Sequence, residues 1–100
     1  MNTYQTFKSG PRKGQPKTLT DRVVRFLVEG LRFIEAPSKN RYRKFVSKSA
    51  DSIYWVGKNG AVRSGKAVAG SISLSDRIKT HMELWEVGTN DPSQIAHYRE

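Results

Sequence analysis

Apolar and polar positions follow two different rhythms along this chain. In residues 18–31, T-L-T-D-R-V-V-R-F-L-V-E-G-L, apolar side chains recur at Val23, Leu27 and Leu31, with Val24 on the same stripe. That is the spacing of an amphipathic helix. Arg22, Arg25, Glu29 and Arg32 fall mostly off the stripe. Thr18 is placed to cap the helix, and Asp21 three residues later imitates a capping box with a shorter acid. Gly30 supplies a C-terminal stop, so the pattern predicts a helix over 19–30.

The rhythm then shortens. L-R-F-I-E-A turns toward strand propensity, A-P-S-K-N supplies a turn, and R-Y-R-K-F-V reads as a second strand. Alternation places Tyr42, Lys44 and Val46 on one face and Arg41, Arg43 and Phe45 on the other. After the loop S-K-S-A-D-S comes S-I-Y-W-V, the strongest strand signal in the chain. It is apolar on both faces, as a central strand is. Trp55 is expected in the core, with Tyr42 or Tyr54 available to stack on a base. Asn59-Gly60 is the preferred pair for a two-residue type I′ hairpin turn, and A-V-R-S is the returning strand. A second helix follows, with Ser75 as N-cap, Asp76 in the first turn, and Ile78, Met82 and Trp85 on one stripe. It is expected to run to about Val87, where G-T-N-D-P ends it.

This order predicts an α+β fold, a small antiparallel sheet of three to four strands flanked by two helices (α-β-β-β(-β)-α). Two amphipathic helices can cover one face of such a sheet and leave the other open. One domain is expected over 18–88, preceded by a flexible basic arm at 1–17 and followed by an irregular segment at 89–100.

Charge changes the picture most. The 100 residues carry 18 Lys/Arg and 9 Asp/Glu, a net charge of +9. Residues 1–79 hold 17 bases against 5 acids, and residues 80–100 hold 1 against 4, giving balances of +12 and −3. The densest stretch, K-N-R-Y-R-K-F-V-S-K at 39–48, sets five bases among aromatic and β-branched side chains. Such asymmetry bears on association rather than fold, and nucleic acid is the commonest polyanionic partner. There is no cysteine, which removes disulfides, thiol nucleophiles and cysteine metal sites. With neither a signal-peptide core nor a long apolar run, the chain reads as a soluble, cytoplasmic protein with no membrane partner.

Catalytic constellations are thin. His81 falls within the second helix and His97 near the end of the chain. Glu83 and Glu86 read as a solvated helix face. No serine sits in a G-x-S-x-G elbow, and G-A-V-R-S-G-K does not complete a phosphate loop. No metal or cofactor is expected. The binding features are denser. Arg41, Tyr42, Arg43 and Lys44 cluster, Lys58 sits in the hairpin turn, Arg63 and Lys66 follow on the return, and Lys13 and Lys17 lie in the arm. If the strands share a sheet, these groups can form one patch that contacts phosphates.

The order of elements resembles the double-stranded-RNA-binding-like fold of the HicA family of messenger-RNA interferase toxins, over about residues 19–82. The residues that carry the resemblance are G-L-R-F-I-E-A-P-S-K-N-R-Y-R-K-F at 30–45 and S-G-K-A-V-A-G-S-I-S-L-S-D-R-I-K at 64–79. It implies the fold and RNA binding. Asn40 stands near the place of the family's catalytic histidine, and an asparagine is no general base at neutral pH. The sequence therefore points to a non-enzymatic nucleic-acid-binding protein. The alternatives are a small inhibitor-like protein docking on a nucleic-acid-handling partner such as a host nuclease, and a HicA-like ribonuclease with displaced catalytic groups that would need His81.

Overall fold

The computed structural model describes residues 4–39, 41–64 and 73–88. The first helix is present in two parts. α1 (Leu19–Arg25) runs directly into one wider, π-helical turn at Phe26–Gly30. Both halves of the capping box form, since Thr18 Oγ1 accepts from the Asp21 N–H at 3.1 Å and the Asp21 carboxylate accepts from the Thr18 N–H at 3.2 Å. Gly30 plays a different part from the one expected. The left-handed residue that turns the chain is Arg32, at φ 65°. Gly30 is small because a Cβ there would lie 2.9 Å from Phe26 Cδ1 and 3.4 Å from the Trp85 ring.

Four short strands follow: β1 (Ile34–Ala36), β2 (Arg43–Val46), β3 (Ile53–Val56) and β4 (Val62–Ser64). They pair antiparallel in chain order, so β3 is an interior strand, as its two apolar faces predict. Between β2 and β3, the Ser47 hydroxyl donates to Asp51 and accepts from the Ser52 N–H, which satisfies two buried serines. Between β3 and β4, Asn59 and Gly60 both adopt positive φ, 61° and 74°, and the Ala61 N–H donates to the Lys58 carbonyl. The paired positive φ values are those expected of Asn-Gly in a type I′ turn, but the Gly57 N–H donates to the Ala61 carbonyl, so three residues, Lys58–Gly60, close the hairpin instead of the expected two. The turn tucks under α1, where the Gly60 N–H donates to Thr20 Oγ1 at 3.0 Å.

α2 (Leu74–Glu86) begins two residues earlier than the sequence reading placed it. Ser73 is the N-cap, its hydroxyl accepting from the Asp76 N–H. The S-x-x-D spacing selects it, and the earlier start brings Leu74 onto the buried stripe with Ile78 and Met82. Ser75 instead accepts from the Val62 N–H, joining helix to sheet.

Register decides which side chains meet the helices. Residues directly opposite in antiparallel strands share a face. One face carries Phe45, Tyr54, Val56 and Val62, which pack with Val23, Val24, Phe26 and Leu27 of the first helix and with the α2 stripe into a single core. Tyr54 stacks on Phe33 with ring centroids 5.0 Å apart. Both helices therefore lie on this face.

The basic N-terminal segment, expected as a flexible arm, is tied back onto the helical layer across residues 4–17. The Gln5 N–H donates to Asp21, the Tyr4 hydroxyl donates to Glu29, and Phe7 and Gln15 pair across a loop. Burial pushes the Asp21 carboxyl up. The bonds from Gln5 and Thr18, together with the Arg43 charge, outweigh that and hold it below the usual carboxylate range. Residues 89–100 lie outside the described residues. Among the described residues, no helix is long and apolar enough to cross a membrane.

Candidate nucleic-acid interface

The face of the sheet turned away from the helices carries the other set of registers. Ala36, Lys44, Trp55 and Arg63 are directly opposite one another across all four strands. Ile34, Val46 and Ile53 form a second row beside them. Neither helix covers either row, because both pack on the opposite face.

Within the first row, Lys44 Nζ stands 5.5 Å from the centre of the Trp55 ring. Tyr42 precedes the strand on the same side. Its ring lies over Gly57, where a Cβ would come within 2.6 Å of Tyr42 Cε1. A glycine at the end of β3 thus makes room for a ring from the neighbouring strand. The Arg63 guanidinium approaches the same ring, 5.6 Å from its centre. Lys44, Trp55, Tyr42 and Arg63 consequently form two cation–aromatic pairs side by side. Beside Tyr42, a cleft lined by Pro37, Ser38 and the exposed Arg41 opens at the end of the sheet.

Of the residues singled out from sequence, Tyr42, Lys44 and Arg63 converge here, with Arg41 at the margin. The others do not share the face. Arg43 points to the opposite side, as alternation requires, and makes a bidentate pair with Glu35 at 2.8 and 2.9 Å. Its bond to Glu35 raises the guanidinium's pKa and keeps it charged, and its charge faces Asp21. Arg43 is thus an internal tie between β1 and β2. Lys58 is exposed in the β3–β4 turn next to the start of α1. Lys13 and Lys17 are exposed on the N-terminal loop that bonds to α1. Lys66, Asn40 and His97 lie outside the described residues.

Two aromatic expectations are exchanged. Tyr54 is 1% exposed and belongs to the core, so it cannot receive a base. Trp55, expected in the core, is half-buried on the open face. The signal that separates them is Phe45. As the one apolar residue on its face of β2, it selects the face of the Tyr54 opposite it.

Chemistry beyond binding has little to draw on. His81 is half-buried on α2, the helical layer, while the cation–aromatic pairs are on the far face of the sheet. A ribonuclease that used His81 at the basic face would have to bridge that separation. Among the described residues, no group of three or more His, Cys, Asp or Glu is placed to hold a metal. Compared with known protein families, curated proteins and solved structures, the chain matches none.

Proposed function

We propose that this protein binds nucleic acid through the open face of its sheet. The carrying observation is the cross-strand row of Lys44, Trp55 and Arg63, extended by Tyr42, on the one sheet face that neither helix covers. Lys44 and Arg63 supply charge to phosphates, which fixes position without reading sequence. Trp55 and Tyr42 supply flat surfaces. The net charge of +9 favours association with any polyanion and draws it to the surface. No bond has to be broken for this role.

The test is a gel-shift titration against DNA and RNA at two salt concentrations. Phosphate contacts predict affinity that falls steeply as salt rises. Reversal of Lys44 and Arg63 to Glu should abolish binding while the thermal midpoint stays within a few degrees. Absence of salt-sensitive binding to any nucleic acid would remove the proposal.

A second reading has its own observation. Ile34 is 61% exposed, and Val46 and Ile53 adjoin it on the same face. An apolar row beside a basic one suits an acidic protein partner, such as a nucleic-acid-handling enzyme. Capture from nuclease-treated lysate that depends on Ile34 favours this reading; loss of capture on nuclease treatment favours the first.

A further inference from the structure

Resting on that reading, we infer that the ligand is single-stranded and that the two cation–aromatic pairs are subsites for two neighbouring nucleotides, one at Trp55 with Lys44 and one at Tyr42 with Arg63.

The backbone positions beneath the two rings carry the inference. Trp55 stands on β3 itself, and the Tyr42 ring lies over Gly57, two residues further along the same strand. Two residues of strand span about 6.6 Å. Successive bases in a duplex are only about 3.4 Å apart along each strand. Rings anchored at positions about twice that interval apart do not match the spacing of two stacked neighbours. They can receive bases that have been splayed apart, as in single-stranded segments. The shape of the surface agrees. Reading the major groove of a DNA duplex takes a helix or a two-stranded ribbon that fits into it. Here the groups lie on the face of a four-stranded sheet, and Tyr42 is laid down onto it by the missing side chain at Gly57.

Each pair also has the parts for one nucleotide. In the unbound protein the cation rests 5.5–5.6 Å from the ring centre. An exposed cation–ring contact is weaker than base–ring stacking. A base can therefore take the ring face while the flexible Lys44 or Arg63 side chain swings to the adjoining phosphate. The face carries two unreacted functions, flatness and charge, in alternation. That suits a backbone-tracking ligand with little sequence preference.

The experiment compares unstructured single-stranded oligonucleotides (oligo-U and oligo-dT) with a DNA duplex and an RNA duplex of equal length, against the intact protein, Trp55→Ala, Trp55→Phe and Lys44→Gln/Arg63→Gln. The expected result is tighter binding of single strands than of duplexes. Trp55→Ala should weaken single-strand binding by about 5- to 150-fold, Trp55→Phe should restore much of it, and duplex binding should change little. Oligo-U and oligo-dT separate RNA from DNA as the source of the strand. Duplex binding as tight as single-strand binding, with Trp55→Ala neutral but the charge variant impaired, would overturn the subsites and leave nucleic-acid binding standing. If the charge variant is also neutral, the proposed function falls with them. Circular dichroism of each variant distinguishes lost contacts from lost fold.

Discussion

Neutralising basic residues on opposite faces of one sheet should separate binding from stability. Lys44 and Arg63 stand on the open face, each over an aromatic ring, and no acidic partner engages either among the described residues. Arg43, next in sequence to Lys44, is on the covered side in a bidentate pair with Glu35. Each phosphate contact to a single strand adds about 0.7 to the slope of log affinity against log salt. Lys44→Gln/Arg63→Gln should flatten that slope by about 1.4. Between 50 and 200 mM salt, the parent protein should then lose about sevenfold more of its affinity than the double variant loses. Stability should move by no more than about 0.5 kcal/mol, since both positions are on the surface. Arg43→Gln should behave in the opposite way. Loss of a well-formed, partly exposed ion pair costs about 1 kcal/mol, which for a domain of this size lowers the midpoint by about 4–8 °C. The salt slope should remain that of the parent. Fluorescence anisotropy across a salt series, paired with thermal melts, measures both quantities. A slope flattened by Arg43→Gln as much as by the open-face pair would refute the assignment of faces, and so would an unchanged slope in the double variant.

Three further outcomes follow from the fold. Gly60→Ala should destabilise the domain by about 1–2 kcal/mol in urea titrations, because φ there is 74° and a Cβ would press on Leu19 Cγ at 3.0 Å. Ser73→Ala should cost about 1 kcal/mol of stability, the usual loss for an N-cap, and Ser75→Ala should cost less because its bond to Val62 is long at 3.3 Å. Asp21 is held below its unfolded value of about 3.9, so its contribution is complete above that pH and is lost as pH falls through the lower folded value. Urea midpoints measured from about pH 6 down to about pH 2 should fall below about pH 4, and Asp21→Asn should flatten that fall.

Most of the fold could be read from residue pattern because its signals are local. Thr18 with Asp21 marks the first helix, and Asn59-Gly60 fixes the hairpin between β3 and β4. Alternation in β2 correctly separates Lys44 from Arg43. The candidate site was only half legible. S-I-Y-W-V is apolar on both faces, so nothing within it says whether Tyr54 or Trp55 turns inward; the pairing of Tyr54 with Phe45 on another strand decides it. The likeness of Arg43 to its basic neighbours concealed a partner eight residues away, Glu35, that only strand pairing brings near. Gly57 carried no signal, because its role depends on a ring from the adjacent strand. The N-terminal segment reads as free from composition alone, and its bonds to Asp21 and Glu29 depend on where α1 and the π-helical turn after it lie.

The anchoring of Gln5 to α1 and of Tyr4 to the π-helical turn after it has a practical corollary for handling the molecule. Tyr4 and Gln5 lie on the side where the helices sit, so a purification tag or surface linker joined to that end tethers the molecule through its helical side. A sensor chip loaded through that end turns the bare strands toward the flowing analyte. Attachment through Ile34→Cys, in the neighbouring row of the same face, would press the same strands against the chip while leaving both cation–aromatic pairs intact, so comparing the two orientations reports which side of the molecule captures its partner.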